Sequence, residues 1–219
     1  MENYQKEFIK LALHYHALTF GEFTLKSGRV SPYFFNMGQF KTGSALNQLG
    51  LCYAQAIQLS IKAGMLKFDG LFGPAYKGIP LVSTTAIGLN QIADLDVPYS
   101  FNRKEAKDHG EGGQIIGARL EGRVLMIDDV ITAGTAAKEA IDLIDAHGAQ
   151  VAGLVVALDR QERASEHNSL SAIQTIQHAH NIPVISLVTL NDIIQYVQDE
   201  PNFKNYLPSI LAYQQRYGV

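Results

Sequence analysis

The chain contains no tryptophan, a single cysteine and no excess of basic residues. One cysteine, Cys52, excludes an internal disulfide and a zinc site built from cysteines. It has no activating neighbour in sequence, so we interpret it as a small buried hydrophobe. The formal net charge is -3 and the basic residues form no run, so nothing in the charge balance indicates a nucleic-acid partner.

Long hydrophobic runs are missing as well. The amino-terminal stretch MENYQKEFIK has no signal-peptide core, and no apolar run reaches membrane-spanning length. We therefore expect a cytoplasmic protein without a membrane partner. The 219 residues, 47% hydrophobic and 18% charged, suit one globular α/β domain with a sizeable core.

The most informative stretch is residues 124–136, VLMIDDVITAGTA. Its first four residues are apolar and predict a buried strand, which Asp128 and Asp129 stop. An alanine-rich helical pattern starts after Thr132. In sheets covered by helices on both faces, ligands bind beyond the carboxyl ends of the strands, which is where the two carboxylates fall.

The small residues after this strand predict an anion-binding turn. They are Thr132, Ala133, Gly134, Thr135 and Ala136. Uncovered amides, hydroxyls and the helix dipole would converge there on a phosphate. The carboxylates would repel a phosphate, but they can accept hydrogen bonds from a sugar diol or hold a divalent cation through water. The plainer alternative is a helix cap followed by a tight turn.

Taken together, residues 124–136 resemble the phosphoribosyl pyrophosphate (PRPP) signature of the type I phosphoribosyltransferases. The phosphate loop of nucleotide triphosphatases is excluded, because no GxxxxGK[ST] occurs in the chain. The resemblance implies that Asp128 and Asp129 hold the ribose hydroxyls. It also implies that the 5-phosphate binds along the following turn, which starts with Val130 and Ile131.

Residues 20–36 predict a β-hairpin with its turn at residues 26–29. Composition alone favours a surface hairpin with a basic tip. The stretch FTLKSGRVSPYFFN, however, resembles the hood segment of orotate phosphoribosyltransferases. That resemblance implies that Lys26 reaches an anionic ligand and that Phe34 and Phe35 wall a flat heterocycle.

A second loop, GPAYKG at residues 73–78, lies between a predicted strand and a predicted helix. Its free amides and Lys77 suit a pyrophosphate, although a simple connection is the alternative. In the family resembled, this loop also contains a non-proline cis peptide. Here it would fall between Ala75 and Tyr76, and Tyr76 and Lys77 would contact PRPP.

Residues 103–113, from Arg103 to Gly113, mix charges and glycines without apolar periodicity, and predict a mobile loop. Composition alone favours a solvated charged loop. Its resemblance to the catalytic loop of orotate phosphoribosyltransferases implies a lid shared across the subunits of a homodimer. The implied PRPP-binding and catalytic residues are Arg103, Lys104, Lys107 and His109, with Lys107 or His109 as proton donor.

Asp159 and Arg160 follow another apolar run, residues 151–158, which predicts a strand. A planar guanidinium suits a carboxylate ligand, but a salt bridge from Arg160 to Asp159 or Glu162 is an equal alternative. The resemblance implies that Arg160 takes the carboxylate of orotate and that Thr132 also touches the base.

The alternation of elements predicts an α/β fold: a mainly parallel, doubly wound sheet flanked by helices, with a small amino-terminal hood. We expect one domain over residues 1–219, with the hood within about residues 1–40 and the core from about 41. Residues 115–118 and 124–127 are predicted to be paired strands, and residues 2–20 a helix.

The resemblance covers nearly the whole chain and implies transfer of a phosphoribosyl group from PRPP to orotate. The products would be orotidine 5'-phosphate and pyrophosphate, a step of pyrimidine synthesis. Mg²⁺ would be held mainly by PRPP and water near Asp128 and Asp129, without direct protein ligands. The alternatives are a phosphoribosyltransferase for another base and a regulator that binds PRPP without catalysis.

Overall fold

The structure, a computed structural model, describes residues 1–107, 113–131, 134–163 and 169–219. The helices are α1 (Asn3–His14), α2 (Gly43–Lys62), α3 (Gly78–Ala93), α4 (Thr135–Ala146), α5 (Ala172–His180), α6 (Leu190–Asp199) and α7 (Leu207–Tyr217). The strands are β1 (Leu18–Thr24), β2 (Val30–Phe35), β3 (Gly70–Gly73), β4 (Tyr99–Lys107), β5 (Gly113–Gly117), β6 (Arg123–Ile127), β7 (Gln150–Asp159) and β8 (Val184–Thr189).

The main sheet has the strand order β5-β4-β3-β6-β7-β8, and β5 alone runs antiparallel to its neighbour. Alternate residues of β6 enter two separate cores. Leu125 and Ile127 join the larger core on one face, whereas Val124 and Met126 join the smaller core on the other. A strand that is apolar on both faces belongs inside a sheet covered by helices. The predicted doubly wound, mainly parallel α/β fold is therefore confirmed.

The predicted pairing of residues 115–118 with residues 124–127 is wrong. β5 pairs with β4, and β6 lies between β3 and β7. The side chains of β5 are half-exposed or exposed, whereas four of the five in β6 are buried. Burial therefore places β6 at the centre, while the more polar β5 takes the edge.

The predicted loop over residues 103–113 also begins too early, because β4 continues to Lys107. Asn102 pairs with Ile115 and Lys107 with Gly113, with a register shift in between. The backbone of β5 supplies hydrogen-bond partners whatever the side chains are, and the charged side chains of Lys104 and Glu105 are exposed. Residues 108–112, which include His109, lie outside the described part of the chain.

The first helix is shorter than predicted, since α1 ends at His14. The apolar residues that follow it belong to β1, where Phe20 pairs with Tyr33 of β2. The predicted hairpin is confirmed, and its turn is closed by the Leu25 amide, which donates to the Arg29 carbonyl oxygen over 2.9 Å.

The β1–β2 hairpin packs between α1 and the carboxy-terminal helix α7. Phe35 packs against Phe8 of α1, with ring centroids 6.1 Å apart. Tyr33 meets Tyr213 of α7 edge to face at 6.3 Å. Both Tyr33 and Phe8 belong to the larger core of the sheet, so the hairpin is attached through buried aromatic rings.

Replacement of Gly88 by alanine is expected to lower the free energy of unfolding by about 1–3 kcal/mol, through overpacking where α3 crosses α2. A Cβ atom at Gly88 would lie 2.6 Å from the carbonyl oxygen of Gly50. Urea denaturation measures the change. Gly43→Ala is the matched control, because a Cβ atom there meets nothing within 4 Å. Equal midpoints for both variants would contradict this account of the crossing.

Candidate functional site

The predicted site residues at the strand ends gather along one edge of the main sheet. Gly73 pairs with Phe101 across β3 and β4, and Ile127 pairs with Val155 across β6 and β7. The strand ends that precede the GPAYKG loop, the acidic pair and Arg160 are therefore aligned in parallel. This is the carboxyl edge at which ligands bind in such sheets.

The acidic pair remains hydrogen-bonded to its neighbours after β6 ends. The Asp128 amide donates to the carbonyl oxygen of Val155 over 3.0 Å, and the Ala157 amide donates to that of Asp129 over 2.8 Å. From α2, the buried Tyr53 hydroxyl donates to the Asp128 carbonyl oxygen over 2.8 Å. The backbone that carries both carboxylates is thus fixed from two sides.

The two carboxylates differ in their electrostatic surroundings. Burial, assisted by the neighbouring Asp129, raises the pKa of Asp128 to about 7. Asp129 instead forms an ion pair with Lys77, with Oδ2 and Nζ 2.5 Å apart. Asp128 Oδ1 also accepts a hydrogen bond from the Asp129 amide over 2.8 Å. Together they offer acceptors for vicinal hydroxyls, one partly protonated and one neutralised by a lysine.

The loop after β3 folds tightly onto the start of α3. A Cβ atom at Gly73 would lie 2.2 Å from the Gly78 carbonyl oxygen, so both positions require glycine. The peptide bond between Ala75 and Tyr76 is cis, as predicted from the resemblance. Lys77 stands directly before α3 and extends to Asp129, which brings the loop and the acidic pair together.

The same loop is tied to β4 on its other side. The side-chain oxygen of Asn102 accepts a hydrogen bond from the Ala75 amide over 2.8 Å. Lys104 lies over the exposed ring of Tyr76, with Nζ 5.0 Å from the ring centroid. Arg103, which lies between Asn102 and Lys104 in sequence, is half-buried. The structure therefore brings together three predicted residues, Tyr76, Lys77 and Lys104.

The small-residue turn after the acidic pair is described in part. Val130 and Ile131 are half-buried, whereas Thr132 and Ala133 lie outside the described residues. Gly134 precedes α4 with a φ of 79°, a left-handed conformation that favours glycine. Thr135 and Ala136 begin the helix and are exposed. Gly134 has no side chain to cap the first amides of α4, and among the described residues no side chain caps them, as suits an anion site.

The hairpin residues face different directions. Lys26 is exposed in the turn. Phe34 is 40% exposed and stacks on Phe23, with ring centroids 5.5 Å apart, whereas the Phe35 ring packs inward on Phe8. Successive residues of a strand point to opposite faces, so the two rings do not form one wall.

Arg160 follows β7 and is largely buried by protein groups. Its Nε and Nη2 atoms donate to the same oxygen of Glu162 over 2.8 and 2.7 Å. Nη2 also donates to Ser31 over 3.2 Å, and the guanidinium lies 4.5 Å from the ring centroid of Tyr33. Of the alternatives left open by the sequence, the salt bridge forms, and it forms with Glu162 instead of Asp159.

Several residues that hold this site escaped the sequence analysis. Tyr53 and Ser31 each contact a predicted site residue from a different element, and Asn102 contacts Ala75 in the loop after β3. Tyr53 sits in the apolar pattern of α2 and Asn102 inside a strand, so neither belongs to a motif. Their partners are distant in sequence, and no local signal identifies them.

Candidate metal ligands are sparse at this edge. Within the described ranges, no group of three or more His, Cys, Asp or Glu side chains is placed to hold a metal ion. Asp128 and Asp129 supply carboxylate oxygens, which suit Mg²⁺ bound partly through water and substrate oxygens.

In the described ranges, no helix has the length and apolar character needed to cross a membrane.

A cavity of about 480 Å³ opens at the opposite edge of the sheet, where β3 and β6 begin. Its charged lining includes Asp69, which forms hydrogen bonds of 3.0 and 2.7 Å with the Arg123 guanidinium. These hydrogen bonds lower the pKa of Asp69 to about 2. The pair is exposed and already satisfied, whereas the carboxyl edge collects the motifs, so we place the candidate site at the carboxyl edge.

Comparison with known proteins gives one consistent result. The phosphoribosyl transferase domain family matches residues 46–187. The orotate phosphoribosyltransferases of Stutzerimonas stutzeri and Pseudomonas putida are each 54% identical to this chain over 219 residues, which is the whole of both chains. The solved structure of Francisella tularensis orotate phosphoribosyltransferase is 43% identical, with a TM-score of 0.85, and covers 97% of this chain and 100% of its own.

Asp128→Asn is expected to raise the melting temperature more at pH 8 than at pH 4.5. Because the folded-state pKa of Asp128, about 7, lies above the ordinary aspartate value of 3.8, the native state binds more protons than the unfolded state between these values. The wild-type free energy of unfolding therefore falls as the pH rises between the two pKa values. Asparagine cannot ionise, so the Asp128→Asn variant does not lose this stability.

Thermal melts in buffer containing EDTA measure the effect, so that bound metal does not contribute. Asp142→Asn, at an exposed position of α4, is the control and is expected to give the same small difference at both pH values. A pH-independent difference for Asp128→Asn would contradict the assignment.

Proposed function

Because this chain belongs to the orotate phosphoribosyltransferases, a family of pentosyltransferase enzymes, we propose that it transfers the 5-phosphoribosyl group of PRPP to orotate. The products are orotidine 5'-phosphate and pyrophosphate, and the reaction is a Mg²⁺-dependent step of cytoplasmic pyrimidine synthesis. The observation that carries the proposal is the Lys77–Asp129 ion pair, which joins the two candidate PRPP loops at one edge of the sheet.

Asp128 and Asp129 bind the two ribose hydroxyls of PRPP. The hydrogen bonds from Tyr53 and to Val155 support this role, because they fix the backbone of the pair before ligand arrives. The 5-phosphate binds along residues 130–136, where Gly134 leaves the first amides of α4 uncapped. Thr132 and Ala133, which belong to this segment, are included from the sequence resemblance.

The pyrophosphate of PRPP binds between the loop after β3 and the β4–β5 hairpin. Tyr76, Lys77, Arg103 and Lys104 line this region, and the Lys104–Tyr76 contact supports the grouping. Lys107 and His109 extend the same positive set along the lid, by resemblance, with either as proton donor. We further propose that residues 103–113 close over the site of a second copy in a homodimer.

Orotate binds between the hairpin and the end of β7. The exposed Phe34 ring offers a π-face for the flat base, Lys26 adds a positive charge at the turn, and Arg160 takes the carboxylate. Phe35 anchors the strand through Phe8, and its place beside the base is included from the sequence resemblance. The buried aromatic attachment of the hairpin to the core supports our further proposal of one domain with a hood from about residues 1–40.

The chemistry relies on placed charges. Mg²⁺, when bound, neutralises phosphate oxygens of PRPP, and Asp128 and Asp129 fit a water-mediated site for it. The lysines of the lid and of the loop after β3, with Arg103, stabilise the departing pyrophosphate, and the acidic pair faces the positive charge that develops on the ribose. Cys52 is unsuited as a nucleophile, since burial raises the pKa of its thiol to about 12.

Loss of orotate absorbance on adding PRPP and Mg²⁺ tests the function directly. We expect wild-type turnover of orotate, no turnover of hypoxanthine or uracil, and no activity with excess EDTA. Lys77→Ala is expected to lower kcat/KM about 100-fold, as is typical of removing one charged group that stabilises a transition state.

The matched control is Lys67→Ala, at an exposed position before β3 on the opposite edge of the sheet, which is expected to retain activity. Well-folded wild-type protein that leaves orotate unchanged would refute the proposal. Hypoxanthine turnover would favour a transferase for another base, and tight PRPP binding without turnover would favour a regulator.

A further inference from the structure

Glu162 lies between two arginines from different parts of the fold. One oxygen, Oε1, accepts hydrogen bonds from Arg160 Nε and Nη2. The other, Oε2, lies 3.6 Å from Arg29 Nη1 at the end of the hairpin turn. The three side chains are only 12–16% exposed. A single carboxylate therefore joins the hairpin to the end of β7 in a poorly solvated place, where ion pairs are weakly screened.

The plane of the Arg160 guanidinium is held from further directions. The ring of Tyr33, which is fully buried, lies 4.5 Å from it. The hydroxyl of Ser31, also fully buried, accepts from Nη2. Glu162 occupies the edge formed by Nε and Nη2, while Nη1 has no hydrogen-bond partner among the residues that the structure describes. The direction of Nη1 is thus set by the protein contacts on the other sides of the guanidinium.

The carboxy-terminal residues hold the backbone around Glu162. The amide of Arg163 donates to the Tyr217 carbonyl oxygen over 2.9 Å, and the Val219 amide donates to that of Gln161 over 3.0 Å. The Tyr217 ring also lies 4.8 Å from the Arg29 guanidinium. Glu162 is therefore fixed through its backbone as well as its side chain, so a ligand cannot displace it at small cost.

The charge of this cluster suits an anionic ligand. Two guanidinium groups and one carboxylate leave one positive charge, which matches the single carboxylate of orotate. An arginine without Glu162 would keep its charge but lose the hydrogen bonds that orient its Nε and Nη2 atoms. Oriented donors are what a planar carboxylate requires.

We propose that Glu162 is a positioning residue of the base site, which acts through Arg160 by holding Nη1 toward the carboxylate of orotate. This inference rests on the role proposed for Arg160. It predicts that the effect of Glu162 on orotate affinity exists only while Arg160 is present.

A double-mutant cycle tests this dependence. Glu162→Gln keeps the shape and removes the charge, and Arg160→Met keeps much of the apolar stem on Tyr33. In the wild-type background, Glu162→Gln is expected to raise KM for orotate about ten-fold, the size of one charge-assisted hydrogen bond, with KM for PRPP unchanged. In the Arg160→Met background, the same change is expected to leave KM for orotate unaltered.

Glu121→Gln is the matched control, because Glu121 is exposed at the opposite edge of the sheet, and it is expected to keep both KM values. Ser31→Ala is a second variant that removes one acceptor of Arg160, together with the hydrogen bonds between the Ser31 hydroxyl and the Tyr33 backbone. It is expected to raise KM for orotate about three-fold and is available if Glu162→Gln does not fold.

Three results would overturn the inference while leaving the proposed function intact. They are an unchanged or lower KM for orotate in Glu162→Gln, an equal rise of KM for orotate and PRPP, and the same effect with and without Arg160. If Glu162→Gln does not fold, an unchanged KM for orotate in Ser31→Ala would overturn it. Failure of the wild type to use orotate would instead refute the proposed function, and this inference with it.

Discussion

The parallel hydrogen-bond ladder through β3, β6 and β7 is the constraint on which the site depends. It aligns the carboxyl ends of the strands, and it continues past β6 through Asp128 and Asp129. Both carboxylates therefore stand on backbone that is already paired, with little freedom to adjust when a ligand binds. A binding site built on such rigid elements loses little conformational entropy on binding.

Two compact charge clusters extend this rigidity to the parts that surround the sheet edge. The Lys77–Asp129 pair ties the loop after β3 to the end of β6. Glu162 ties the hairpin to the end of β7 through Arg29 and Arg160. Each cluster joins elements that are far apart in sequence, so each half of the site acquires its shape only once the fold has formed.

The predictions that held rest on local information. The apolar run of β6, its acidic end and the hairpin turn at residues 26–29 are each visible within a few residues. The cis peptide before Tyr76 was implied by the resemblance of its loop to that of a known family. The failures concern partners. Local patterns predict that β5 pairs with β6 and that β4 ends before Lys107, and both predictions are wrong because strand pairing depends on residues elsewhere in the chain.

The sequence by itself determined the alternation of strands and helices, the acidic pair and the small-residue turn, because periodicity and backbone preference act over neighbouring residues. Only the tertiary structure decided that Tyr53 supports Asp128, that Phe35 faces the core and that Arg160 pairs with Glu162 against Ser31. Tyr53 is 75 residues from Asp128, and Ser31 is 129 residues from Arg160. Contacts over such separations are set by packing, which no local pattern encodes.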